Sequence, residues 1–250
     1  MKKILLLLLS ISVLLILSAC DNISSEVKKY THQNQTVENK SLPKQQPLKY
    51  EKKKLLKFDN LDEIGRPTNA HIQLTYNQKP KKERSERLEY NPPGWHNYRT
   101  TYQKPNGQIS KYWTFDRSHM IGYLFSGVND EPKNLFTGTV HLNRGAYAGM
   151  NTHDEKSMLY YEMKLNNWLK THPNHKLDYQ VTPIYQKDEL VPREVRLSYS
   201  GYTPNGKSEK INVGSSLETK GNHATIVTLP NEEPNLKIDY KTGRASKVNN

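Results

Sequence analysis

Apolar and polar positions divide this chain into stretches of very different character. Ile4 to Leu17 is apolar apart from Ser10 and Ser12, with Lys2-Lys3 before it and Ser18-Ala19 after it. A charged start, an apolar middle and a small-residue end are the pattern of an export signal, and the run is short for a stable membrane span. From Asp21 to about Leu55, Lys, Gln, Asn, Ser and Glu dominate and the apolar residues keep no period. Such a stretch buries too little surface to offset its ordering entropy, so it reads as a flexible tether. After a turn-rich opening at 59–67, Ala70, Ile72, Leu74 and Tyr76 alternate with polar residues, which predicts a half-buried strand. Residues 77–91 form a charged loop, and Pro92-Pro93-Gly94-Trp95 a rigid turn.

The clearest hairpin follows. Lys104-Pro105-Asn106-Gly107 is a strong turn, flanked by arms at 98–103 and 108–115. The second arm runs on into Asp116-Arg117-Ser118-His119. Thr152 and Glu155 have the spacing of a capping box, predicting a helix start, and Met158, Tyr161, Glu162, Leu165, Trp168 and Leu169 then share one helical face up to a stop before Pro173. Beyond it, 177–185, 194–202, 210–214 and 224–229 have the character of strands, with a second Pro204-Asn205-Gly206 turn between two of them.

Composition changes this picture in two ways. The formal charge is +12 over 250 residues, so the natural partner is an anionic polymer or an anionic surface. The only cysteine is Cys20, which excludes an internal disulfide and a cysteine zinc cluster. Leu17-Ser18-Ala19-Cys20 resembles a bacterial lipobox. That resemblance implies a mature chain that begins at Cys20 and is held by acyl chains on the outer side of a membrane. The expected organisation is a signal peptide at 1–19, a tether at 20–55 and one domain at 56–250.

A strand that ends in Asp-Arg-Ser-His within a basic chain suits phosphodiester hydrolysis, which needs a base for water, a cation for the phosphoryl charge and positive donors for the strand. The His119 imidazole titrates near neutrality. A hard cation such as Mg²⁺ needs few protein oxygens, and an Asn carbonyl and a carboxylate could serve it. Glu162 lies on an otherwise apolar helix face. A buried carboxylate there requires a cationic or water-rich partner, although a salt bridge or a helix turned to expose it accounts for it as well.

Asp116-Arg117-Ser118-His119 resembles the Asp-Arg-Gly-His signature of the DNA/RNA non-specific endonucleases, the ββα-metal nucleases. Pro93-Gly94-Trp95, His119 to Tyr123, Asn134 to Thr139 with Leu142-Asn143, Tyr160-Tyr161-Glu162, Tyr179 to Pro183 and Ile238 to Gly243 resemble that family in the same order, over about residues 58–245. The resemblance implies an α+β fold, a ββα-metal core in which an antiparallel sheet carries a packed helix and further strands. It implies His119 as general base, Asn143 as direct Mg²⁺ ligand with Mn²⁺ able to substitute, and Glu162 as holder of the ion's water. Arg117 would position the phosphate or the site, and Asp116 would be a structural partner. DNA and RNA would be the substrates, with 5′-phosphate products.

Two departures stand out. Ser118 replaces the usual Gly, and Asn166 occupies a position where some relatives have Arg, so Lys111, Lys104 or Arg99 on the hairpin are the expected substitutes. The alternative is a catalytically weak, nucleic-acid-binding surface lipoprotein.

Overall fold

The computed structural model describes residues 45–84, 87–96 and 98–248. The signal, Cys20 and most of the tether lie outside these residues. Strands β1 (Leu55–Phe58), β2 (Ala70–Leu74), β7 (Lys176–Ile184), β8 (Glu194–Tyr202), β9 (Ser208–Glu209), β10 (Thr219–Lys220) and β11 (Thr225–Pro230) form a seven-stranded sheet in the order β1-β2-β7-β8-β11-β10, with β9 beside β8. Every pairing in it is antiparallel. Three two-stranded ribbons complete the strands: β3 (Arg99–Gln103) with β4 (Ile109–Trp113), β5 (Phe115–His119) with β6 (Leu135–Thr139), and β12 (Leu236–Asp239) with β13 (Arg244–Lys247). The α+β class is the observed one.

One face of the sheet carries Ile72, Leu74, Tyr179, Val181, Leu197 and Tyr199 and buries them in a single cluster with Tyr161, Leu165 and Leu169 of helix α3 (Met158–Thr171). Each fully buried leucine contributes about 1.5–3 kcal/mol, so this stripe fixes the helix on the sheet. The helix starts later than the capping-box spacing predicts. Ser157 is the N-cap, its hydroxyl accepting from Tyr160 N. The Glu155 carboxylate instead binds Ser215 and Ser216 through their hydroxyls and the Ser216 amide, partners 60 residues away that local spacing could not reveal.

The opposite face was expected to be solvated along β2, and it is not. His71 and Gln73 are buried, and β2 ends at Leu74 while Tyr76 enters a 3₁₀ turn. The chain just before β1 supplies the cover. Leu48 N donates to Asp178 Oδ2 at 3.0 Å, Glu51 N donates to Gln73 Oε1 at 2.9 Å, and Lys176 Nζ donates to Lys53 O at 2.8 Å. Residues 48–54, assigned above to the tether, are therefore a strap fastened to the sheet by its polar side chains. Each such bond adds about 0.5–1.5 kcal/mol. The strand expected at 210–214 does not form; its place in the sheet is taken by the two-residue β9.

The hairpin turn at Lys104–Gly107 is present, Gly107 N donating to Lys104 O at 2.8 Å. Its second arm does not run unbroken to His119, however. At Thr114 the chain changes partner, so β4 pairs with β3 while β5 pairs with β6, Phe115 opposite Thr139 and His119 opposite Leu135. Asn231 ties this second ribbon to the loop before β8. Its side chain accepts from Thr139 N and donates to Thr137 O and Pro192 O, all within 3.0 Å.

Candidate active site

β5 and the short helix α2 (Val140–Arg144), which follows directly on its partner strand β6, form one wall of a cavity of about 780 Å³. Thr139 caps α2 by accepting from Leu142 N, Val140 and Leu142 are buried beneath it, and Asn143 and Arg144 are left toward the open side. Glu162 of α3 stands on the other wall, and Arg84, Arg87 and Leu88 of the 77–91 loop also line the space. His119, Arg117, Asn143 and Glu162, singled out from three separated segments, thus share one cavity.

Asp116 organises the α2 side. Its Oδ2 accepts from Asn143 Nδ2 at 2.8 Å and from Arg144 Nε at 2.8 Å, and its Oδ1 accepts from Arg144 Nη2 at 3.2 Å. With the amide nitrogen committed to Asp116, Asn143 Oδ1 is the atom left for the cavity, and no described group donates to it.

His119 is buried, and its Nε2 lies 2.7 Å from Asn129 O. A carbonyl only accepts, so Nε2 carries the hydrogen and Nδ1 keeps its lone pair. Burial pushes the imidazole pKa down to about 4, with Arg84 adding to the fall while the Asn129 carbonyl and Asp130 oppose it. The ring is therefore neutral at physiological pH. Asn134 fixes the chain just past it, its amide exchanging hydrogen bonds with Ile121 N and O at 2.9 and 3.0 Å.

Glu162 Oε1 accepts from Gly122 N at 2.9 Å, while Oε2 has no partner among the described residues. A Cβ at residue 122 would fall inside this carboxylate, so the approach requires glycine. Burial raises the Glu162 pKa to about 7 against the opposing pull of Gly122 N–H and Arg84. The sequence left a salt bridge open for this residue; the observed partner is a backbone amide. Helix α1 (Tyr123–Ser126) begins at Gly122, and Lys54 Nζ holds its far end by donating to Phe125 O and Ser126 O at 2.8 and 2.9 Å.

Arg117 is turned toward the loop. Nη1 donates to Leu88 O at 2.6 Å and to Asn91 Oδ1 at 3.2 Å, and the guanidinium lies 5.0 Å over the Trp95 ring. Asn129 Oδ1 accepts from Arg84 Nε at 2.8 Å, and Asp130 accepts from the amides of Glu89 and Tyr90. Arg84, Arg87, Arg144 and Gly122 were not singled out from the sequence. The loop arginines lack any period, and Asn129, which fixes Arg84, lies 45 residues on. Only the adjacency of Arg144 to Asn143 on one helical turn offered a signal.

Ser118 is buried, and its hydroxyl sits where a Cβ on Gly138 of β6 would collide with it. The room for this side chain comes from the glycine across the ribbon. Lys104, Lys111 and Arg99 do not line the cavity. They lie on the β3–β4 hairpin.

The cavity can hold a hydrated cation. It offers two uncommitted oxygens, Asn143 Oδ1 and Glu162 Oε2, and among the described residues no group of three His, Cys, Asp or Glu side chains could cage a metal. An amide oxygen and one carboxylate suit a hard ion that keeps most of its water.

Comparison with known proteins identifies the family and the fold. The sequence profile of the DNA/RNA non-specific endonucleases matches residues 47–201. The chain belongs to the DNA/RNA non-specific endonuclease family. Among solved structures, an extracellular endonuclease is 36% identical with a TM-score of 0.68, the match covering 80% of this chain and 90% of that one. An extracellular nuclease is 33% identical with a TM-score of 0.67, over 82% of this chain and 99% of the other. NucA from Streptococcus agalactiae, solved with a magnesium ion bound, shares the fold at 20% identity and a TM-score of 0.57, over 81% and 82%. The family resemblance, the ββα-metal fold and the nuclease activity that the sequence implied all stand, and nucleic acid is the substrate.

Proposed function

We propose that this endonuclease hydrolyses the phosphodiester backbone of DNA and RNA with Mg²⁺ as its cofactor, Mn²⁺ being able to replace it, and releases 5′-phosphate ends. The reading rests on His119, whose Nε2–H is taken by the Asn129 carbonyl, so that Nδ1 is left to accept a proton in the cavity that also holds Asn143 and Glu162. Water loses its proton to Nδ1 as its oxygen attacks phosphorus, and the 3′ oxygen departs. Mg²⁺, held directly by Asn143 Oδ1 and through water by Glu162, would supply positive charge for the phosphoryl oxygens and the leaving oxygen.

Asp116 keeps the Asn143 amide turned for that task, and Arg144, Arg84 and Arg87 bring further positive charge to the substrate backbone. Contacts of this kind address phosphate, which carries no base information, and this supports sequence-nonspecific cleavage. Arg117 acts by bracing the loop that carries Arg84 and Arg87. The protein works outside the cytoplasmic membrane, held there by lipid on Cys20; the two most similar nucleases described above are extracellular.

Supercoiled plasmid and single-stranded RNA incubated with the purified protein test the reading. Relaxation and degradation with Mg²⁺, blocked by chelator, are expected. Intact nucleic acid with every divalent ion and pH tried would leave only a binding role.

A further inference from the structure

The β3–β4 hairpin stands outside the seven-stranded sheet, and its two faces differ sharply. Inward, Tyr112 is buried, Tyr102 stacks on Tyr147 with ring centroids 4.4 Å apart, and Tyr147 meets His141 edge-on at 4.3 Å. His141 is two residues from Asn143. The Thr100 and Thr114 hydroxyls bond at 2.7 Å, where β4 hands over to the strand that bears His119. The hairpin is thus clamped to two of the segments that build the catalytic cavity.

Outward, the register pairs Arg99 with Trp113, Thr101 with Lys111 and Gln103 with Ile109. Ile109 is 63% exposed and Trp113 37% exposed, and the Arg99 guanidinium lies 4.3 Å over the indole. Residues 98–113 contain Arg99, Lys104 and Lys111 and no acidic side chain. Exposed apolar surface costs solubility without a partner, and an all-cationic ribbon selects an anionic one. An unpaired nucleic-acid strand meets both conditions, because it presents base faces and phosphates together. A duplex conceals its base faces and would use the charges alone.

Resting on the nuclease reading, we propose that the outer face of this hairpin is a second anchor for single-stranded nucleic acid, separate from the cavity. An unpaired base stacks on the Arg99–Trp113 pair and lies against Ile109, while Lys111 and Lys104 neutralise phosphates of the same strand. The consequence is a preference for unpaired or frayed substrate that the phosphate chemistry of the cavity does not itself create.

The test uses the full chain carrying His119→Ala, so that binding is read without cleavage, and compares a labelled twelve-nucleotide strand with the duplex of the same sequence. Trp113→Ala is expected to weaken the single strand about tenfold, within the range for one stacked base, and the duplex less than twofold. Trp113→Phe should restore most of the loss. Replacing Lys104 and Lys111 together by Ala should flatten the salt dependence for the single strand by about 0.7 per lysine. Equal losses on both substrates, or no loss on either, would overturn the proposal. So would concentration-dependent self-association that Trp113→Ala abolishes, since it would make the face a contact between copies. Because binding is measured in an uncleaving background, failure of the plasmid assay and failure of this anchor are separate results.

Discussion

Two buried places in this molecule use histidine and carboxylate, and they use them in opposite ways. On the strapped face of the sheet, His71 Nε2 meets Asp178 Oδ1 directly at 2.6 Å, and Asp178 Oδ2 takes Leu48 N and Gln73 Nε2 as well. Every atom of that carboxylate is engaged. In the cavity, His119 and Glu162 are each held on one side by a backbone group, Asn129 O and Gly122 N, and the other side stays open. A saturated pair holds the fold together. A half-satisfied residue, fixed by an immobile backbone group, keeps one atom for chemistry and pays for it in stability.

The largest expected effect breaks the second arrangement. His119→Ala should lower kcat by about 10²–10⁴-fold, the usual contribution of a positioned base, with circular dichroism and nucleic-acid binding unchanged. Cleavage by this variant at the native rate in a plasmid assay would remove His119 from the mechanism. Next comes the first arrangement. Asp178→Ala strands His71, Gln73 and Leu48 N, and should cost about 3–5 kcal/mol in urea unfolding while kcat, measured well below the melting temperature, stays within about twofold. A loss of activity without a loss of stability would reverse the contrast.

The smallest effect concerns pH. Glu162 is raised to about 7 in the folded chain, so the folded state retains a proton that the unfolded state releases above the ordinary 4.5. Its contribution is full below about pH 4.5 and is lost as pH climbs through 7. His119, lowered to about 4, acts the other way, contributing fully above its ordinary 6.5 and losing that as pH falls through 4. The two oppose each other between these limits, and above pH 6.5 Glu162 alone remains. In chelator, the Tm of the native protein should therefore fall between pH 6.5 and 8 relative to Glu162→Gln. Parallel curves would show that Glu162 does not titrate there.

Much of this was visible in the sequence wherever a period or a turn carried the signal. The helical stripe from Met158 to Leu169 exposed Glu162 as its one carboxylate, β8 spans the expected 194–202, and the Lys104–Gly107 turn set the hairpin. What stayed hidden depends on partners far along the chain. Arg84 gains its place from Asn129, and the strap gains its place from Asp178, 130 residues after Leu48. Thr152 and Glu155 had the right local spacing, yet Ser215 and Ser216 gave the carboxylate better partners than a helix start. A pattern of polar residues alone does not distinguish a free linker from a segment that polar side chains on a sheet will capture.

The strap also sets a mechanical order within the domain. Tension applied upstream of Leu48 meets the Leu48–Asp178 and Glu51–Gln73 bonds before it reaches Lys54. Lys54, in turn, grips the carbonyl end of the short helix whose other end presents Gly122 to Glu162. A pull on the segment upstream of Leu48, such as the proposed lipid anchor would exert, is thus taken up by the strap before it reaches the glycine that positions Glu162.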